Sequence, residues 1–143
     1  GTLGIALADL DGDGRLDCVH AQGEVANALA DVVCFGSAIA KDTAPPTIGA
    51  FVLPAEAAVG AAVVVQLRVH DRKSPCMPHD WKQVVLRCRR GEQEQVVPLQ
   101  WFGEFLWRAN VPTAAAGGVE VTVEAVDAAG NVARSPAQTL RVR

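Results

Sequence analysis

The chain has 143 residues, enough for one ordinary domain or for a small domain with an appendage. Half of the residues are apolar, the net charge is −3 and the pI is about 5.5, so a real core is expected and no basic face for nucleic acid is implied. No run approaches the roughly eighteen apolar residues that a membrane-spanning helix needs.

The chain opens at Gly1-Thr2 with neither an initiator Met nor a signal-peptide pattern; this reads as an artificial end or as a cut inside a longer protein, so the missing signal says nothing about compartment. Gly4-Ile5-Ala6-Leu7-Ala8 is short and leads into Asp9-Leu10-Asp11-Gly12-Asp13-Gly14-Arg15-Leu16-Asp17. In that stretch Asp9, Asp11, Asp13 and Asp17 crowd together around Gly12 and Gly14. Two like charges about 4 Å apart repel by roughly 4 kcal/mol at an effective dielectric of about 20, so a compact loop of this composition calls for a cation. Calcium suits it, being hard and oxygen-seeking. Asp9, Asp11 and Asp13 take the first, third and fifth places of an EF-hand-type loop. Gly14 takes the sixth, where the chain turns sharply, Arg15 offers its backbone carbonyl at the seventh, and Asp17 fills the ninth. The twelfth place holds His20 instead of the bidentate Glu of a helical EF-hand. Leu16 to Ala21 alternates apolar with polar, which predicts a strand after the loop rather than a helix.

Ala8 to Asp17 resembles the FG-GAP/VCBS repeat of bacterial surface and secreted proteins, a loop type also found in the propeller of integrin α chains. The resemblance covers about residues 3–36 and ends in Asp31-Val32-Val33-Cys34-Phe35-Gly36, which is similar to the repeat's next strand. It implies a calcium ion held in a β-hairpin loop by Asp9, Asp11, Asp13, Arg15 and Asp17. A lone repeat has too few apolar residues for its own core. No second Asp-rich repeat follows, so an intact propeller is excluded. Gln22 to Ala30 reads as a turn with room for a short helical piece.

Residues 40–46, ending in Pro45-Pro46, form an extended linker, because proline bars helix there. Beyond it, seven strands are predicted: 47–53, 61–71, 82–90, 94–100, 104–111, 119–127 and 132–142. Turn signals such as Arg90-Gly91, Phe102-Gly103 and Gly117-Gly118 separate them. Val63, Val65, Leu67 and Val69 fall on one face of their strand. Val119, Val121, Val123 and Ala125 do the same, with Glu120, Thr122 and Glu124 opposite. The pattern predicts an antiparallel β-sandwich. Asp42-Thr43-Ala44-Pro45-Pro46-Thr47-Ile48 and Ala125-Val126-Asp127-Ala128-Ala129-Gly130-Asn131-Val132-Ala133 resemble bacterial Ig-like or fibronectin type III-like modules. The expected fold is therefore all-β, a seven-stranded Ig-like sandwich over 42–143 with a calcium-loop hairpin over 1–41.

Four cysteines, Cys18, Cys34, Cys76 and Cys88, allow three pairings. Local pairing, Cys18–Cys34 and Cys76–Cys88, is expected. Each bridge would add about 3 kcal/mol by restricting the unfolded chain, and both imply an oxidising compartment. Zinc on Cys76, His79 and Cys88 or on Cys18, His20 and Cys34 lacks the paired CxxC spacing of structural sites, and free buried thiols are the remaining alternative. Trp81, Trp101 and Trp107 are read as core or edge packing before sugar stacking. His70 is expected to point outward, Glu124 with Asp127 and Glu92 with Glu94 are read as surface charge, and Arg87-Cys88-Arg89-Arg90 as a solvated strand end. No nucleophile motif or phosphate loop is present. The expected function is a non-catalytic, calcium-binding structural or adhesive module of a larger secreted or cell-surface bacterial protein. Its partners would be the rest of that protein, a surface protein or glycan, and a second copy through exposed strand edges. An accessory domain of a secreted hydrolase is the alternative, and a dockerin-like module ranks last because it needs two helical loops.

Overall fold

The computed structural model describes residues 2–22, 30–38, 42–72 and 77–143. They form an all-β chain with no α-helix among the described residues. Among the described residues no helix is long and apolar enough to cross a membrane. The chain divides into two compact units, Gly1–Ala40 and Lys41–Arg143.

The first unit is a three-stranded antiparallel sheet in the order β1 (Thr2–Ala8), β2 (Asp17–Gln22) and β3 (Val32–Cys34). The predicted strand after the acidic stretch is β2, and the acidic stretch itself is the β1–β2 connection. The pairs Ala8↔Asp17 and Leu7↔Cys18 close the hairpin at the base of that connection. Among the described residues the buried hydrophobic core runs from Phe51 to Val142, and the described residues of this unit contribute nothing to it. Ile5, Leu7 and Phe35 are all more than 60% exposed. The predicted turn over 22–30 falls largely on residues 23–29, outside the described residues.

The second unit carries β4 (Thr47–Ile48), β5 (Glu56–Ala57), β6 (Val63–His70), β7 (Trp81–Arg90), β8 (Gln93–Pro98), β9 (Gln100–Gly103), β10 (Leu106–Val111), β11 (Gly117–Asp127), β12 (Val132–Arg134) and β13 (Gln138–Val142). One sheet runs β4-β6-β10-β9; the other runs β5-β13-β11-β7-β8, with β12 also paired to β11. Neighbours are antiparallel except β5 and β13, which run parallel. Strict alternation on β6 turns Val63, Val65, Leu67 and Val69 inward, and β11 does the same with Val119, Val121, Val123 and Ala125. These residues share one core with Leu86 and Val84 of β7, Trp107 of β10 and Leu140 of β13, so both sheets bury their inner faces together, consistent with a β-sandwich.

The strand count differs from the seven expected, for local reasons. The first predicted strand shrinks to β4. Phe51 and Leu53 still enter the core, but the Gln138 side chain replaces a neighbouring strand: its amide N–H donates to the Phe51 carbonyl, and its oxygen accepts from the Leu53 N–H. The predicted 94–100 strand ends at Pro98, and the chain passes through buried Leu99 into β9 on the other sheet. The last predicted strand breaks at Ser135-Pro136 into β12 and β13, because proline has no N–H for a ladder. Both pieces still lie along β11.

Candidate metal centre

The β1–β2 connection folds on its own aspartates. Asp9 accepts from the Gly12 N–H (2.7 Å) and the Gly14 N–H (3.0 Å), and Asp11 accepts from the Asp13 N–H (3.1 Å). Gly12 and Gly14 sit at φ +78° and +84°, left-handed backbone that glycine adopts without strain. The turn therefore follows from two glycines placed between carboxylates that each reach back to backbone N–H groups.

Asp17 is the pivot. It is 1% exposed, against exposed Asp9, Asp11 and Asp13. One of its oxygens accepts from the Leu10 N–H at the start of the loop (2.7 Å), and the other accepts from the Gly36 N–H beyond β3 (2.7 Å). The Gly36 N–H first, then that of Leu10, with help from Asp11, hold its carboxyl below the usual carboxylate range against the opposing effect of burial. Gly36 fits tightly there: a Cβ on it would lie 2.6 Å from the Leu16 carbonyl oxygen.

Of the predicted ligands, Asp9, Asp11 and Asp17 come together, each offering a carboxylate oxygen within 4.8 Å of the others. Calcium–oxygen distances of about 2.3–2.6 Å allow two ligands of one ion to lie up to about 5 Å apart, so this hard-oxygen donor set fits calcium. Asp13 turns to Arg15 instead, accepting from its backbone N–H (2.9 Å) and from its guanidinium.

A second carboxylate group, Asp42, Asp71 and Asp127, meets the same distance criterion in the other unit. Sequence reasoning missed it because its members are far apart in the chain; the only hint was the turn following Asp127. Asp127 accepts from the Asn131 side chain and from the backbone N–H groups of Gly130 and Asn131. Burial pushes its carboxyl up, but the Asn131 and backbone hydrogen bonds outweigh that and hold it below the usual range.

Other expectations change. Asp127 and Glu124 are not surface charge: both are buried. Glu124 does leave β11 on the outward face, but Arg87 (2.7 Å), Arg134 (2.6 Å) and Gln83 (2.9 Å) close over it. The basic run is not simply solvated either. Arg87 pairs with Glu124 and Glu94, Arg89 with Glu120, and Arg90 donates to the carbonyls of Ala115 and Ala116. Cys88 is a free thiol in the core, and burial pushes it up to about 11, the wrong direction for a nucleophile. Its expected partner Cys76 lies outside the described residues. Cys18 and Cys34 are free thiols directly opposite each other on β2 and β3, and the Cys18 sulfur lies 3.3 Å from His20 Nε2. His70 is half-buried, its ring edge-on to Phe105 at 5.7 Å. Trp107 is core; Trp81 packs perpendicular to it at 6.0 Å, and Trp101 is partly exposed.

No protein-family model and no curated protein matches the chain. Among solved structures, the crystal structure of an engineered protein is similar, with a TM-score of 0.50 at 20% identity. The match covers 71% of this chain and spans 21% of that one. At this identity the likeness bears on the fold alone.

Proposed function

We propose that this chain is a non-catalytic calcium-binding module, structural or adhesive in role, of a larger secreted or cell-surface bacterial protein. On this reading residues 3–36 are an FG-GAP/VCBS-type repeat, and 42–143 an Ig-like or fibronectin type III-like sandwich. The convergence of Asp9, Asp11 and Asp17 on one small volume carries the reading. The ion would supply charge neutralisation and cross-linking, and the chain does the rest: glycines shape the turn, and Asp17, at the start of β2, ties the start of the loop to the segment just beyond β3. Arg15 would contribute its carbonyl, and Asp13 would join by leaving the Arg15 guanidinium. A sheet whose described residues bury no apolar core of their own gains most from such a clamp. Its exposed apolar side chains and outer strands β1 and β3 support association with further repeats or a second copy. Calorimetric titration of the metal-free chain with calcium tests this. Binding that Asp11→Ala abolishes is expected, and a chain that takes up no calcium refutes the reading.

A second reading, an accessory domain that holds a secreted hydrolase to a glycan, draws on one groove of about 480 Å³. Trp81, Trp101, Trp107, Lys82 and Gln83 are among its lining residues. Affinity electrophoresis in soluble polysaccharide should show retardation that Trp101→Ala removes; unretarded wild-type protein rules it out.

A further inference from the structure

We propose that Cys18 and Cys34 form a reversible cross-strand disulfide that sets the calcium affinity of the aspartate loop, an inference that rests on the calcium reading above. The two residues are Cα partners in the β2–β3 register. Directly opposed antiparallel positions lie about 4.5–5.5 Å apart at Cα, inside the roughly 4.4–6.8 Å that a disulfide spans. Cys34 is exposed and Cys18 half-buried, so an oxidant reaches the pair from the Cys34 side.

The position of this pair is what couples it to the loop. Cys18 directly follows Asp17, and Cys34 lies two residues before Gly36. Asp17 and Gly36 are joined by the hydrogen bond that orients the Asp17 carboxylate, whose other oxygen holds Leu10 at the loop's first turn. A covalent bond between Cys18 and Cys34 therefore fixes both ends of that hydrogen bond. The strand it secures is short and exposed: β3 spans Val32–Cys34 and, among the described residues, pairs with β2 alone. With the thiols reduced, β3 can separate from β2 and take Gly36 with it, and Asp17 loses one of its two supports. With the bond formed, that ligand is pre-organised before any ion arrives.

The oxidant is a low-molecular-weight disulfide. The Cys34 thiolate attacks one of its sulfurs, giving a mixed disulfide and releasing one thiol. Cys18 then attacks the Cys34 sulfur, the Cys18–Cys34 bond forms, and the second thiol leaves. Two electrons pass from the cysteines to the oxidant, and the two cysteine protons end on the released thiols.

The test uses the full chain, one sample held in a thiol-free reductant and one equilibrated with oxidised glutathione and then freed of it. Peptide mass mapping of the oxidised sample should yield a Cys18–Cys34 cross-link. Calcium calorimetry should give a Kd about fivefold or more lower for the oxidised sample, the low end of coupling between linked sites. The Cys18→Ser/Cys34→Ser variant should bind like the reduced sample and ignore the oxidant. Absence of the cross-link overturns the proposal, as do equal affinities in the two redox states or an oxidant effect that persists in the double variant. If neither sample binds calcium, the calcium reading fails and the coupling with it, whereas calcium binding that is indifferent to a mapped cross-link sinks the coupling alone.

Discussion

A carboxylate such as Asp17, closed off from water yet held ionised by two main-chain N–H groups, is a commitment that the rest of the hairpin must respect. Asp17→Asn keeps one acceptor oxygen and turns the other into an NH₂ facing an N–H donor. On the proposed calcium reading, affinity should fall about tenfold or more, because the ligand loses its charge as well as one supporting hydrogen bond, and calorimetry reads this directly. Glu124 makes the parallel case in the second unit. The Arg87 guanidinium first, then Arg134, hold its carboxyl below the usual range against the upward push of burial. A depressed carboxyl contributes stability that is complete above its unfolded value of about 4.5 and is lost as pH falls through the lower folded value. Urea titrations from pH 7 downward should show stability declining below about pH 4.5, with Glu124→Gln flattening that decline. At neutral pH the same substitution should cost about 1.5–3 kcal/mol, the usual worth of hydrogen bonds to a charged group. The gathering of Asp9, Asp11 and Asp17 was legible at this scale because these carboxylates are neighbours in sequence. Glu124 was not: alternation gave its direction correctly, but long arginine side chains from β7 and β12 cover it, and only the β7–β11–β12 pairing brings them there.

Elements follow the same division between local and distant causes. The connection between β1 and β2 is written in its glycines. Gly14→Ala should cost about 1–2 kcal/mol, because a side chain at φ +84° crowds its own carbonyl. Gly36→Ala acts differently. Its backbone is not left-handed, but its Cβ would strike the Leu16 carbonyl, so β3 must withdraw and the Asp17 bond must lengthen. Loss of protection from amide exchange at Gly36, with weaker calcium binding, is the expected signature; unchanged protection would refute the tight fit. Alternation on β6 and β11 was readable as a period of two in the sequence. β5 and β9 were not. β5 is two residues long and exists through its pairing with β13; β9 begins where the chain changes sheets after Leu99. Neither event leaves a local pattern. The Gln138 amide that bridges Phe51 and Leu53 is likewise invisible until residues more than eighty positions apart meet.

At the scale of the molecule the two units are stabilised by different physics, and substitutions can separate them. Among the described residues, all buried apolar ones belong to the second unit, with Leu86 fully enclosed between the sheets on the long β7 strand. Leu86→Ala leaves a cavity there and should cost about 2–5 kcal/mol. The first unit rests on its strand ladders, the Asp17 hydrogen bonds and, on the proposed reading, an ion, so Asp11→Ala should act on it alone. Residue-resolved amide exchange on the 143-residue chain in calcium distinguishes the two. Leu86→Ala should accelerate exchange along β7 and β11 and leave β1 and β2 unchanged, while Asp11→Ala should do the reverse. The pattern follows from how each effect propagates. A cavity weakens every strand that shares the core, whereas a lost ligand weakens only the segments that the loop ties together. If Asp11→Ala instead accelerated exchange at Val121 and Val123, loop and core would form one cooperative unit, and a separate ion-clamped hairpin would no longer describe this protein.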